Sequence, residues 1–216
     1  MLRLYADSAD TDLFADLLSS GVLVGVTTNP TILQAAGRSL ADSAALFERW
    51  HALGAREVFF QAVGASEDDY LDSARRICAI DPSVSVKIPA TGEGFRAAAR
   101  LARGGASVLV TAVYTPAQAA VASAVGAKYI APYLGRLDDS GRDGLAVIRS
   151  MMAAMRGSDT EVLAASVRTP RALAGLAEAG VRHITAKPAM LRQSFESAST
   201  RAAVADFDAA TAASAE

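Results

Sequence analysis

One lysine of this chain lies where a charged side chain is unusual. Lys87 occupies the segment Ser83-Val-Ser-Val-Lys87-Ile-Pro89, which otherwise has the composition of a buried strand. Lysine, unlike arginine, can lose its proton, and burial favours the neutral amine that attacks a carbonyl to form a Schiff base. The alternative is a lysine on an edge strand whose long stem reaches water. The surrounding elements must distinguish these interpretations.

A repeated pattern of strand, turn and amphipathic helix surrounds Lys87. Short β-branched segments, spaced as strands joined by crossover helices, predict eight strands near residues 2–6, 22–27, 57–63, 84–89, 107–112, 128–133, 161–165 and 182–186. Helix starts are indicated at Asn29, Thr115 and Thr169, each an N-cap residue followed by proline. A capping box is indicated at Ser66 to Asp69.

Eight such units with continuous apolar strands predict a closed (β/α)₈ barrel, the TIM-barrel fold, as a single α/β domain covering residues 1–216. We expect a C-terminal helix, and we expect the alanine-rich tail after about residue 208 to fray. An open, doubly wound sheet is the alternative, but no Gly-x-Gly-x-x-Gly sequence follows any strand.

The composition argues against several classes of function. A formal net charge of −2, without a basic cluster, argues against nucleic acid or a membrane surface as a partner, and no apolar run is long enough to span a bilayer. A single cysteine, Cys78, and two histidines leave no recognisable ligand set, so we expect no metal and no cofactor. We therefore expect a cytoplasmic globular domain that acts on a small molecule.

In a barrel, catalytic side chains lie at the carboxyl ends of the strands and face one mouth. Seven of the predicted strands deliver polar residues at this level: Asp7; Thr27, Thr28 and Asn29; Gln61; Lys87; Thr111; Tyr133 with Arg136; and Ser166 with Arg168 and Arg171. A helix cap or a turn explains such a residue at any one strand. Seven strands that place polar groups around one lysine indicate a site.

This polar set contains the groups that a Schiff-base reaction needs. Lys87 would attack a ketone, while Asp7 would orient the amine and bind substrate hydroxyls. Gln61 and Thr111 would hold a water, and Tyr133 would add a phenol as an acid–base group. Asp7 as a helix cap and Tyr133 as a packing residue remain alternatives.

An anion site is indicated after the seventh strand. Ser166, Arg168 and Arg171 combine a hydroxyl, two guanidinium groups and a helix N-terminus, which all favour a phosphate. Arg136, just after the sixth strand, would complete the clamp. A capped helix start in solvent is the alternative.

Seven short motifs occur in order over about residues 2 to 210: Tyr5-Ala-Asp7-Ser8, Gly25-Val-Thr-Thr-Asn-Pro30, Phe60-Gln61, Val86-Lys87-Ile-Pro89, Thr111-Ala-Val-Tyr114, Ala131-Pro-Tyr133-Leu-Gly-Arg136 and Ala165-Ser166-Val-Arg-Thr-Pro170. This set resembles the small transaldolases and fructose-6-phosphate aldolases. The resemblance implies a metal-independent class I mechanism with Lys87 as the Schiff-base lysine and Asp7 as the acid–base carboxylate. It implies that Asn29 binds the substrate end and that Ser166, with Arg136 and Arg171, binds the phosphate. Thr27 and Arg168 are further candidates for substrate binding from their place at the strand ends. The resemblance also implies a homo-oligomer of ten subunits in two pentameric rings.

The family contains two activities. The resemblance implies that transaldolases usually have glutamate and phenylalanine where this chain has Gln61 and Tyr133, the pair found in the aldolases. A phenolic proton donor beside the enamine favours its protonation and release. The sequence therefore favours an aldolase that cleaves a ketose phosphate such as fructose 6-phosphate into dihydroxyacetone and glyceraldehyde 3-phosphate. The segment 134–139 is closer to the transaldolases, which pass the dihydroxyacetone unit to a second aldehyde.

Lys187 departs from the family pattern. Relatives usually have an apolar or proline-containing turn where Thr185-Ala-Lys187-Pro188 follows the eighth strand. Lys187 could bind the anion of a sulfonated ketose, could depress the pKa of Lys87, or could be a solvated loop residue.

A barrel that binds sugar phosphates without catalysis is a third class of function. It predicts the loss of Lys87 or Asp7, and the sequence contains both.

Overall fold

The computed structural model describes residues 1–214, which form a closed barrel of eight parallel strands. The strands are β1 (Arg3–Asp7), β2 (Gly25–Thr27), β3 (Glu57–Gln61), β4 (Val84–Pro89), β5 (Val108–Val113), β6 (Tyr129–Pro132), β7 (Glu161–Val167) and β8 (His183–Ala186). Each strand pairs with the next along the chain, and β8 closes the barrel against β1. The predicted TIM barrel is therefore confirmed. The predicted domain also includes Ala215 and Glu216, which lie outside the described residues.

Helices connect successive strands, as the caps and periodicity predict. They are α1 (Ala15–Ser19), α2 (Pro30–Ala35), α3 (Ser43–Ala52), α4 (Glu67–Cys78), α5 (Gly92–Arg103), α6 (Pro116–Ala124), α7 (Leu134–Asp139), α8 (Gly144–Ala154), α9 (Pro170–Glu178), α10 (Pro188–Gln193) and α11 (Ala198–Ala213), with short 3₁₀ turns at Thr11–Leu13 and Leu40–Asp42. Ser66 and Asp69 form the predicted capping box of α4. Asn29, Thr115 and Thr169 each accept a backbone hydrogen bond at the start of a helix.

The C-terminal segment forms a longer helix than expected. The prediction that the tail frays after about residue 208 is wrong, because α11 continues to Ala213. Alanine has the highest helix propensity, so an alanine-rich segment favours a helix even where it makes few contacts. Ser197 caps its first turn. None of its residues is buried, and Val204 and Phe207 are 48% and 67% exposed.

The barrel interior is filled by side chains from alternate strands. Tyr5, Phe59, Leu109 and Leu163 come from β1, β3, β5 and β7 and are fully or almost fully buried in one apolar cluster. The rings of Tyr5 and Phe59 pack edge to face at 5.7 Å. Such a layer of four inward-facing side chains is the usual core of this fold, and here it forms the floor below the polar residues.

The amino end of the interior holds a paired polar cluster. Glu57 accepts hydrogen bonds from the hydroxyls of Tyr5 and Tyr129 and from the guanidinium of Arg3. Burial and the neighbouring Glu57 raise the pKa of both tyrosines. His183 lies 2.8 Å from the Tyr5 hydroxyl and completes the cluster. Each buried polar group at this end therefore has a partner, which suits a structural role.

Two bulges distort the opposite, carboxyl end. Ala112 and Ser166 have φ angles of 56° and 58°, and the strand register shifts at both places. Left-handed backbone is uncommon for residues other than glycine, and bulges re-aim the side chains beside them. Tyr133 follows β6, between the two bulged strands, and forms an isolated bridge with Ala165. The strained backbone thus flanks the predicted site.

Candidate active site

Lys87 is buried inside the barrel near the carboxyl end of β4. Its side chain is 5% exposed, and its Nζ donates a hydrogen bond of 2.6 Å to the backbone oxygen of Thr28. Gln61 is its register partner on β3. Burial lowers the pKa of Lys87, and the nearby Asp7 carboxylate partly opposes this effect. The edge-strand interpretation fails because the barrel has no edge and the side chain does not reach water.

Asp7 ends β1 and is held by a chain of two hydroxyls. Thr27 Oγ1 donates to Asp7 Oδ1 at 2.8 Å and lies 2.6 Å from Thr185 Oγ1. Because Thr27 gives its single hydroxyl hydrogen to the carboxylate, Thr185 must donate to Thr27. Burial raises the pKa of Asp7, while Lys87, Thr27 and Lys187 oppose the rise. Asp7 is not a helix cap, since Asp10 caps the first 3₁₀ turn.

Tyr133 and Thr111 form the second polar pair. Their hydroxyl oxygens are 2.9 Å apart. Burial is the main cause that raises the pKa of Tyr133, and Asp7 adds to it, so the phenol keeps its proton at neutral pH. The guanidinium of Arg136 stacks 5.2 Å from the centre of the Tyr133 ring, and Tyr114 packs edge-on at 5.9 Å. Tyr133 is therefore both packed and able to donate a proton.

The remaining predicted residues at the mouth are less constrained. Gln61 is the last residue of β3 and is half-buried beside Lys87. The side-chain oxygen of Asn29 caps α2 by accepting from the Ile32 amide at 2.9 Å. This cap uses the oxygen and leaves the amide nitrogen of Asn29 to bind another group.

The predicted anion residues fall into two groups. Ser166 lies at the bulge of β7, and Arg171 is in the first turn of α9. Arg168 instead forms a two-pronged ion pair with Asp139, with both distances 2.7 Å. The sequence does not predict this ion pair, which occupies the guanidinium edge that would bind a phosphate. The role of Arg168 in binding an anion stays a prediction, and Arg136 is oriented instead by the Tyr133 ring.

Sequence reasoning missed Thr185 as a member of the site. The alternation of side chains along β8 could have indicated it. His183 contacts Tyr5 inside the barrel, so Thr185, two residues further along the strand, must face the same side, and there it contacts Thr27. The sequence predicts Thr28 at the mouth, but it carries no signal that the Thr28 backbone carbonyl accepts the hydrogen bond from Lys87.

Other features of the described residues lie outside this site. A cavity of about 200 Å³ at the amino end is bordered by Glu161 and His183 and by none of the predicted site residues. Within residues 1–214 there is no group of three or more His, Cys, Asp or Glu side chains that could hold a metal ion. No helix in the same range is long and apolar enough to cross a membrane.

The fold and the site define a TIM barrel with a buried amine beside a half-buried carboxylate at its carboxyl-end mouth. The chain belongs to the Transaldolase/Fructose-6-phosphate aldolase family, whose model matches residues 4–216. It is 37% identical over 193 residues to a protein of Cereibacter sphaeroides named "Probable transaldolase", covering 88% of this chain and 87% of the relative. Proteins with the same name from Caulobacter sp. (strain K31) and Symbiobacterium thermophilum are 36% and 32% identical, with 90% and 89% of this chain covered and 89% and 88% of the relatives.

Solved structures of low sequence identity share the fold. A Burkholderia cenocepacia protein described as a phosphonomutase matches with a TM-score of 0.61 and 19% identity, over 95% of this chain and 93% of that one. Inosine 5' monophosphate dehydrogenase from Legionella pneumophila matches with a TM-score of 0.63 and 14% identity, over 88% of this chain and 58% of that one. At such identities the likeness concerns architecture alone.

Proposed function

We propose that this protein is a class I aldolase that cleaves a ketose phosphate such as fructose 6-phosphate through a Schiff base on Lys87. The observation that carries the proposal is a buried lysine whose pKa is lowered by burial and which lies close enough to the Asp7 carboxylate for their charges to interact. Burial favours the neutral amine of such a lysine, which is the nucleophile, and the carboxylate beside it can act as a base.

The chemistry follows from these two groups. The neutral Nζ of Lys87 adds to the C2 ketone, and the carbinolamine loses water to give an iminium ion. Asp7 then takes the proton of the C4 hydroxyl as the C3–C4 bond breaks. The bonding electrons move to the iminium and form an enamine, while the aldehyde leaves. Protonation of the enamine at C3 and hydrolysis of the iminium release dihydroxyacetone and restore Lys87.

The fate of the enamine separates the two activities of the family. The protonated phenol of Tyr133, paired with Thr111, supports an aldolase because it supplies a proton to the enamine directly or through a water. The second candidate is a transaldolase, which the printed names of the relatives favour. In that case the enamine waits for an acceptor aldehyde. A sulfonated ketose is a further candidate substrate, because Lys187 adds a positive charge at the mouth.

The substrate anion would lie between the ends of β6 and β7. Ser166, Arg136 and Arg171 supply a hydroxyl and two guanidinium groups there. Arg168 would join them only on releasing Asp139. Assembly into a homo-oligomer, with ten subunits implied by the family resemblance, remains part of the proposal, as does a cytoplasmic location. The exposed apolar side chains of α11 support assembly.

One assay tests both candidates. The purified protein is incubated with fructose 6-phosphate, with and without erythrose 4-phosphate, and glyceraldehyde 3-phosphate and free dihydroxyacetone are measured. Cleavage without the acceptor identifies an aldolase, whereas turnover that requires the acceptor identifies a transaldolase. Borohydride reduction in the presence of dihydroxyacetone should attach the three-carbon unit to Lys87. Lys87→Met should abolish both the turnover and the borohydride-trapped adduct. Lys128→Met, which removes a lysine at the amino end of the barrel, should abolish neither.

A further inference from the structure

Lys187 continues the inward-facing side of β8 beyond the end of the strand. His183 contacts Tyr5 inside the barrel, and Thr185 contacts Thr27 at the mouth, so every second residue of β8 faces the interior. Lys187 is the next residue of this series, and its backbone is still extended, with φ −59° and ψ 140°. Its carbonyl anchors the first turn of α10 by accepting from the Met190 and Leu191 amides. The side chain is exposed, so its ammonium stands at the mouth.

The register of β1 and β8 brings Lys187 beside Asp7. Ala6 is paired with Ala186, and Asp7 and Lys187 are the residues that follow on the two strands. The Lys187 charge acts on the carboxylate, since it is one of the causes that oppose the rise in the pKa of Asp7. The half-buried Asp7 carboxylate therefore interacts with two ammonium groups, one buried on β4 and one exposed after β8.

The chemistry of the site makes this second charge useful. Asp7 and Lys87 stabilise each other's charged forms, so the carboxylate opposes part of the loss of the Lys87 proton that burial favours. When Lys87 loses its proton, a carboxylate without another partner would itself tend to become protonated in the buried site. An amine and a carboxylate must be present together for attack and proton abstraction. A nearby positive charge outside the barrel interior favours that combination.

We propose that Lys187 is a positioning residue whose charge at the barrel mouth stabilises the Asp7 carboxylate and destabilises the ammonium form of Lys87. The catalytic benefit of this charge rests on the proposed Schiff-base function, whereas its effect on the charged states of Asp7 and Lys87 does not. Other groups lie near the pair. Thr27 donates to Asp7, and the Thr28 carbonyl accepts from Lys87. The Tyr133 phenol lies close enough for the Asp7 charge to raise its pKa, and Arg136 stacks on the Tyr133 ring. Tyr133 is protonated at neutral pH, and Arg136 adds a fixed charge that a change at Lys187 leaves in place.

The test measures the protonation of Lys87 without using the activity. With three lysines in the chain, trace acetylation by isotope-labelled acetic anhydride across a pH series reports each amine separately by peptide mass spectrometry. Lys187→Met should raise the apparent pKa of Lys87 by about half a pH unit, the size expected for one partly screened charge at the mouth. Lys187→Arg, which keeps the charge, should retain the wild-type value. Added salt should reduce the difference between the Met and wild-type proteins.

Lys128→Met is the matched control, because it removes one lysine charge at the amino end, where Lys128 lies 3.9 Å from Glu57. It should leave the Lys87 titration unchanged. An unchanged titration in Lys187→Met, or an equal shift in Lys128→Met, would overturn the proposal. The midpoint of the acid limb in the pH profile of kcat/KM should shift by the same amount as the apparent pKa of Lys87 measured by acetylation. If labelling shifts as expected but no ketose is cleaved, the proposed function fails while the electrostatic role of Lys187 stands.

Discussion

Tyr133→Phe tests the assignment of the enamine proton donor. The substitution removes one hydroxyl, which lies 2.9 Å from Thr111 Oγ1, and keeps the ring that packs against Arg136 and Tyr114. Two effects are expected from this single atom. The site loses an acid–base group, and Thr111 loses a partner within the barrel.

The magnitudes of these effects differ. Loss of a positioned acid–base group should reduce acceptor-free cleavage of fructose 6-phosphate by about 100-fold or more. Loss of one partly buried hydrogen bond should lower the free energy of unfolding by roughly 1 kcal/mol. Transfer to erythrose 4-phosphate does not need the enamine to be protonated, so its rate should fall less. The ratio of transfer to cleavage should therefore rise in Tyr133→Phe.

Both rates can be measured in one coupled assay, with and without the acceptor, and stability by urea unfolding. Tyr114→Phe is the matched control, since it removes a hydroxyl from the ring that packs edge-on against Tyr133. It should leave the ratio unchanged. Equal acceptor-free cleavage by Tyr133→Phe and the wild type would refute the role of the phenol and leave Tyr133 as a packing residue.

Three further substitutions test other parts of the molecule. Lys87→Met should raise the free energy of unfolding at pH 7 by roughly 1 kcal/mol while abolishing activity. Burial lowers the folded-state pKa of Lys87, so wild-type stability should rise as pH increases toward the ordinary lysine value of 10.5, and Lys87→Met should lack that rise in pH-dependent urea titrations. Phe207→Asp on the exposed face of α11 should reduce the assembly size in analytical ultracentrifugation, and an unchanged size would exclude that face from the contact. Tyr5→Phe should cost roughly 1–3 kcal/mol in thermal or urea unfolding, because Glu57 loses a donor, with kcat unchanged.

The sequence predicts the barrel well because each of its signals is local. Helix caps such as Thr115 and Thr169 use hydrogen bonds to amides three residues away, and apolar runs become buried strands wherever a closed parallel sheet forms. The position of Lys87 near the end of β4 follows from that regularity alone. Its burial could be predicted for the same reason, since a closed barrel has no edge.

The pairings within the site could not be predicted in the same way. The bond from Lys87 to the Thr28 carbonyl and the ion pair between Arg168 and Asp139 join residues that are 59 and 29 positions apart. Such contacts depend on barrel stagger and on the bulge at Ser166, neither of which has a clear sequence signal. The prediction that α11 frays is wrong for another reason, because an alanine-rich segment makes few contacts but has a high intrinsic preference for helix.

The two ends of the interior show why the site lies at the carboxyl end. At the amino end of the barrel, the Glu57 carboxylate accepts hydrogen bonds from the Arg3 guanidinium and from two tyrosine hydroxyls. Its negative charge is therefore stabilised by partners within the fold. At the mouth, Lys87 donates to one backbone carbonyl, and Asp7 accepts from one threonine. A buried amine and a half-buried carboxylate with few partners among residues 1–214 make folding less favourable, and their pKa values shift accordingly. Under the proposed function, a ketone and its hydroxyls would supply further partners, so the features that weaken the fold at this end would be those that bind and activate a ketose.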